Sequence, residues 1–326
     1  MSVIASFGEI MLRLTPPSYF LLEQTDQLQM SYVGTGVNLL GSLARFGHET
    51  FLVSQVPGNA VGRSAVAHLR KLGIKDDFVG FSGGHMGSFF VEMGYGLRPT
   101  QVTYQNRVNS SFCEAGKGNH DFESVVNGAD LVHICGINLS LTAATRESAF
   151  SLAELAHAKG KKLVFDFNYR VSLNEGNSIL EMRSHYERIL KSADIVFGSL
   201  RDLTDLMGFE SGSLEEVGRA FMERYDVEYF VGTIRQGKSL QGFILSRDRF
   251  VVSNAVELQI LDRIGGGDAY AAGILHGVTE GLELEETVSF AMANAALAHS
   301  TFGDTPMATK EQVRLFMESP ELELIR

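Results

Sequence analysis

Leu261-Asp262-Arg263-Ile264-Gly265-Gly266-Gly267-Asp268-Ala269-Tyr270-Ala271-Ala272-Gly273 is the stretch whose reading decides the fold. It follows an apolar alternating run, Val256 to Leu261, with the pattern of a strand. From Asp268 onward Ala269, Ala272, Leu275 and Val278 recur at helical spacing, which predicts a helix starting at or near Asp268. Between strand and helix, three successive glycines leave the backbone bare. A phosphate can then lie against amide N–H groups at the positive end of the helix dipole. A carboxylate at the same helix start would repel an anion that is merely bound. It makes chemical sense if Asp268 takes the proton from a hydroxyl that attacks phosphorus. The competing reading is a glycine-rich turn in which Asp268 is an N-cap, a position that Asp favours. Local chemistry alone does not separate the two.

Outside this stretch the composition sets limits. With 326 residues, 44% of them hydrophobic, the chain can build one large α/β domain or two modest ones. A formal net charge of −11, from 28 Lys and Arg against 39 Asp and Glu, argues against nucleic acid or a membrane surface as a general partner. It leaves room for an anionic substrate held by a local cationic pocket. Cys113 and Cys135 lack C-x-x-C spacing and read as free thiols of a reducing compartment. There is no basic segment followed by an apolar core at the start, and no apolar run of membrane-spanning length. The expected location is the cytoplasm.

Upstream, Val3 to Ile10 reads as a buried first strand, and Leu28 to Val33 as a second after a polar, loop-like segment. Gly34-Thr35-Gly36-Val37-Asn38 then opens a helix marked by Leu39, Leu40, Leu43 and Phe46. Its third glycine, Gly41, falls too late for a dinucleotide fingerprint. Gly87 to Tyr95 and Val102 to Tyr104 alternate shallowly, as strands of a small sheet with one wet face do. From Leu131 onward strands and helices alternate, the pattern of a mainly parallel sheet covered on both faces. In such sheets ligands collect just after strand ends. Two places stand there: Asp166-Phe167-Asn168-Tyr169-Arg170 and Ser199-Leu200-Arg201-Asp202. Arg170 is suited to bidentate carboxylate binding, with a structural ion pair as the alternative. No repeat, low-complexity segment or linker divides the chain, so 1–326 reads as one domain.

The Asp-x-x-Gly-x-Gly-Asp pattern of residues 262–268 resembles the C-terminal signature of the ribokinase-like (PfkB) carbohydrate kinases. Arg263 and Ile264 within it resemble the 2-keto-3-deoxygluconate kinase branch, although Gly266 stands where Ala is commoner. The resemblance spans nearly the whole chain, its motifs in the family's order. It implies a three-layer α/β/α sandwich with a mainly parallel central sheet and a small β-sheet lid from about 14–36 and 86–112. It implies a kinase that moves the γ-phosphate of ATP, with Mg2+, onto a hydroxyl of a small acid sugar, 2-keto-3-deoxygluconate. Asp268 would be the base and Gly265, Gly266 and Gly267 the anion hole.

Residue by residue, the resemblance gives Gly34 and Asn38 to the sugar, with Val33 where the first glycine of that signature usually stands. For Asn38 a helix cap is the alternative. Tyr104 and Arg107 match a lid Tyr-x-Arg with one residue inserted, and Asn168 and Arg170 match Asp-x-Asn-Tyr-Arg, where the arginine meets the acid sugar. Ser199 and Asp202 stand for the usual Asn-x-x-Glu. Ser199 would lie by ATP, and Asp202 would hold Mg2+ through water with a shorter reach. Thr233, Arg235 and Gly237 would border the triphosphate and Asn294 the adenine. A monovalent cation beside the Asp262 loop occurs in some members, and lid strands with an apolar face often meet in a homodimer. A fructokinase-like enzyme for neutral sugars and a non-catalytic sugar or nucleotide binder are the competing readings.

Overall fold

The computed structural model describes residues 1–319. Its strands alternate between two sheets. β1 (Val3–Phe7) lies in the main sheet, and β2 (Met11–Thr15) and β3 (Gln29–Val33) cross to a small one. β4 (Glu49–Val56) and β5 (Val79–Phe81) return, then β6 (Ser88–Glu92) and β7 (Gln101–Gln105) complete the small sheet. The remaining strands belong to the main sheet: β8 (Leu131–Cys135), β9 (Lys162–Asp166), β10 (Ile195–Phe197), β11 (Tyr229–Gln236), β12 (Ser239–Leu245), β13 (Phe250–Val252) and β14 (Val256–Glu257).

The main sheet runs β13-β12-β11-β10-β9-β8-β1-β4-β5, with β14 on β12. It is parallel from β5 through β11 and antiparallel beyond. β1 sits between β4 and β8, so the chain winds away from β1 in both directions. The crevice beyond the carboxyl ends of such central strands is the usual ligand site. Alternation along each strand feeds two cores. Ile4 packs against the helices Thr35–Arg45, Ala60–Lys71, Gly266–Glu280 and Leu284–His299; Ala5 and Phe7 face the helices Ala143–Ala158, Ile179–Leu190 and Leu214–Tyr225 on the opposite side. The result is helix, sheet, helix. The lid, ordered β3-β2-β6-β7, keeps a small core of Met11, Val33, Phe89, Val91 and Met93.

Three local expectations change. The run Val3 to Ile10 divides: β1 stops at Phe7, Gly8 donates to the Val53 carbonyl, and the chain passes into lid strand β2. The strand expected over Val256 to Leu261 shrinks to Val256–Glu257 because Leu261 turns away to donate to His299 O at 2.8 Å. The decisive helix starts at Gly266, with Gly265 as N-cap in the left-handed region at φ +87°. Asp268 therefore lies inside the first turn, and the N-cap reading of it fails.

Candidate active site

The cavity between the main sheet and the lid holds about 730 Å³. The turn at Gly265–Gly267 borders it, and two of its glycines are needed for different reasons. A Cβ on Gly265 would stand 1.8 Å from the Asp304 carbonyl oxygen, besides being strained at positive φ. One on Gly266 would strike the His299 ring at 2.3 Å. Gly267 has open space around it and lines the cavity. N–H groups of a helix's first turn have no carbonyl within the helix. The N-cap Gly265 and, from this first turn, Gly267 and Asp268 line the cavity.

Asp268 lines the same void, and the Asn38 amide donates to its Oδ2 at 2.7 Å. Asn38 is not a cap: it sits within the helix Thr35–Arg45, buried, and its own Oδ1 accepts from Thr305 Oγ1 at 3.1 Å. That contact holds one carboxylate oxygen of Asp268. Burial pushes the Asp268 pKa up to about 8, with the Asn38 hydrogen bond pulling back and the charge of Asp166 adding to the rise. Gly34 brings this helix in close, since a Cβ there would sit 2.3 Å from the Glu9 carbonyl.

Across the cavity, Asp166 ends β9, and burial raises its pKa to about 7 against the opposing field of Arg170. Asn168 adopts φ +38°, a conformation Asn tolerates better than most side chains, and its amide donates to Asp166 Oδ2 at 3.2 Å. Arg170 is exposed, lines the cavity, and has no ion-pair partner among the described residues. The structural ion pair is thus absent and the guanidinium is available. Asp202 Oδ2 accepts from Ser199 N at 2.8 Å and Ser199 Oγ at 2.7 Å, leaving Oδ1 free. Burial raises the Asp202 pKa as well.

Arg107 presents the opposite case. It is buried and paired with the carboxylate of Glu9, with Nε to Oε1 at 3.0 Å, and lies 4.9 Å from the Tyr104 ring centroid. Asn106, left-handed at φ +52°, absorbs the inserted residue and turns Arg107 inward. Arg107 and Tyr104 both line the cavity, but the positive charge of Arg107 is already balanced.

Thr233 and Ser199 line the cavity, whereas Arg235 and Gly237 lie exposed outside its lining. Asn294 departs furthest from expectation. It is wholly buried and donates to Ser42 Oγ at 3.1 Å and Ala269 O at 2.8 Å, so its amide ties three helices together rather than meeting adenine. Two residues that matter escaped the sequence, Glu9 and Arg13, both buried and charged; Asp304 ends the loop His299 to Asp304, which the resemblance puts near the adenine, and it is buried and paired with Arg13. The one available signal is in Met11-Leu12-Arg13, where period two puts a charge on the buried face of a strand.

The acidic lining from Asp166, Asp202 and Asp268, with a free Asp202 oxygen, suits a hard divalent cation that keeps most of its water. Elsewhere His48, His276 and Glu280 lie close together, but His48 Nε2 and His276 Nδ1 hydrogen-bond each other at 2.8 Å.

The family model described as pfkB family carbohydrate kinase matches residues 1–311. Among curated relatives, the chain is 25% identical over 311 residues to a 2-dehydro-3-deoxygalactonokinase of Haloferax volcanii, covering 95% of each. It is 27% identical over 310 residues to a 5-dehydro-2-deoxygluconokinase of Clostridium beijerinckii, covering 93% of this chain and 88% of that one. A solved structure of a proposed 2-keto-3-deoxygluconate kinase from Enterococcus faecalis superposes with TM-score 0.97 at 51% identity, covering 100% and 99% of the two chains. A 2-dehydro-3-deoxygluconokinase from Thermotoga maritima gives TM-score 0.92 at 27% identity, covering 98% and 100%.

Proposed function

The chain belongs to the pfkB family of carbohydrate kinases, and from that premise we propose that it phosphorylates a hydroxyl of a small acid sugar, 2-keto-3-deoxygluconate. The observation that carries this reading is Arg170, an unpaired guanidinium in the cavity that also holds Asp268. A neutral sugar gives such a cation nothing to pair with, while a keto acid supplies a carboxylate matched to its fork. The relatives that phosphorylate 2-dehydro-3-deoxy and 5-dehydro-2-deoxy sugar acids by name support the same class. Glu9 and Arg107, balanced against each other, suit the sugar's hydroxyl groups better than its charge.

In this mechanism Arg170 holds the carboxylate, and Gly34, Asn38, Tyr104 and Asn168 border the rest of the sugar. Asp268 accepts the proton of the hydroxyl as its oxygen bonds to the terminal phosphorus of ATP and the bridging P–O bond to ADP breaks. The amides of Gly265–Gly267 stabilise the charge gathering on the moving phosphoryl group, a contribution of about 3 kcal/mol per well-aimed donor. Asp202, through water, would help hold Mg2+, which neutralises phosphate charge when bound. Ser199 and Thr233 border the nucleotide side.

A kinase for neutral sugars is the second reading, and the neutralised Arg107 favours it. An ATP-to-ADP assay over 2-keto-3-deoxygluconate, 2-ketogluconate, fructose and ribose, with Mg2+, separates the two. Turnover confined to the keto acids, lost in Arg170→Ala, is the expected result. Fructose turnover indifferent to Arg170→Ala would replace the acid-sugar reading. No helix among the described residues is long and apolar enough to cross a membrane. The lid face turned away from the cavity, with Met30 59% exposed, suits a homodimer.

A further inference from the structure

Arg13 lies on lid strand β2, yet its guanidinium ends among groups from the far end of the chain. Nη2 donates to Asp262 Oδ2 at 2.9 Å and Nη1 pairs with Asp304. Nε donates to Thr15 Oγ1 at 3.0 Å. Arg13, Asp262 and Asp304 are all at most 4% exposed. In so dry a place, removing the guanidinium would leave two carboxylates facing each other without compensation.

Both carboxylates belong to the frame of the phosphate turn. Asp262 stands just before it and accepts from Ile264 N at 3.1 Å and Gly303 N at 3.3 Å. Asp304 closes over Gly265, whose Cα has no room for a side chain against the Asp304 carbonyl. The next residue, Thr305, donates to Asn38, which in turn donates to Asp268. One side chain of the lid therefore pins the two segments that fix where the turn and the base stand.

A monovalent cation does not fit this arrangement. Asp262 Oδ2 already accepts from Arg13 and from Gly303 N–H, and Oδ1 from Ile264 N–H, so the carboxylate that would recruit a cation is filled with donors. We propose that Arg13 is a positioning residue, a built-in cation that fixes the Gly265–Gly267 turn to the lid in place of any monovalent metal ion.

The proposal rests on the kinase activity but not on the identity of the sugar. Wild type, Arg13→Met and Arg13→Lys are compared for kcat, for the KM of sugar and of ATP, and for ATP affinity by calorimetry. Each is measured in tetramethylammonium buffer with and without K+. Wild type is expected to ignore the exchange of K+ for tetramethylammonium. Arg13→Met is expected to lose about 10²-fold in kcat, the cost of displacing a reacting geometry by about 1 Å, with little change in sugar KM. Millimolar guanidinium should restore part of that loss, and Arg13→Lys should stand between the two proteins. Activation of wild type by K+ would overturn the proposal, as would full kcat in Arg13→Met or a loss that guanidinium leaves untouched. Should Arg13→Met not fold, the K+ response of wild type and the kcat of Arg13→Lys still decide. If wild type turns over none of the sugars, the substrate reading fails on its own, and weaker ATP binding by Arg13→Met, relieved by guanidinium, remains the test.

Discussion

Asp268, the proposed base, stands in surroundings that favour its proton. Burial lifts its pKa to about 8, so kcat/KM should climb as pH rises towards that value. The same shift has a sign for stability. Between the ordinary carboxylate value of 3.8 and about 8 the folded protein holds a proton that the unfolded chain has lost, so stability falls as pH rises through that window. Asp268→Asn abolishes the charge. The variant should lose about 10²- to 10⁴-fold in turnover, the usual worth of a positioned base, yet melt above wild type at pH 8 and level with it near pH 4. Calorimetric scans at the two pH values, beside the turnover assay, check both halves; retained turnover would remove Asp268 from the chemistry. Residues of this kind were readable because their neighbours in sequence announce them, as the glycines do for Asp268. Arg13 and Glu9 were not, since their meaning comes from partners 291 and 98 residues away. Asn294 misled for a related reason: a polar side chain on a small-residue helix serves packing as readily as a ligand.

At the scale of elements, the helices Gly266–Glu280 and Leu284–His299 pack almost backbone to backbone. A Cβ on Gly273 would stand 2.4 Å from Ala291 Cα, and one on Gly277 would meet Thr287 at 2.5 Å. Gly273→Leu should therefore force the pair apart and cost at least the ~1–3 kcal/mol of an overpacked core. Because the first of these helices begins in the Gly265–Gly267 turn, the proposed phosphate site, ATP binding should weaken along with the melting temperature, which calorimetry reads on one sample. The helices were the clearest part of the sequence, for their periodicity survives burial. Strands fared unevenly. β2 hides behind Gly8-Glu9 and carries an arginine in a buried slot, so its alternation looks broken. β12 went unread because Gly242 interrupts it, and that glycine is there to admit the Tyr270 ring, 2.5 Å from where its Cβ would stand. The helix start was placed late because Gly265 and Gly266 have poor intrinsic helix propensity and only the tertiary fit against Asp304 and His299 makes them begin one.

For the molecule as a whole, the lid's outer face is the proposed site of assembly. A homodimer through its outer face should appear by light scattering at twice the chain mass, and Met30→Lys should reduce it to the monomer, since a charge in the middle of an apolar contact is costly. A monomeric wild type would leave the lid to the substrate alone. The three-layer architecture was legible from the alternation of strands and helices after Leu131; the division of the first strands between two sheets was not, because it depends on which strands pair. The reach of Arg13 also bears on how the protein is made. Its guanidinium leaves the ribosome 249 and 291 residues ahead of its two carboxylates. Until then the Arg13 charge lacks the two carboxylates it is buried against. Among the described residues this is a pairing of very long sequence separation, so it cannot form on the nascent chain until Asp304 has emerged, which lengthens the time the partly folded chain is open to chaperones and proteases.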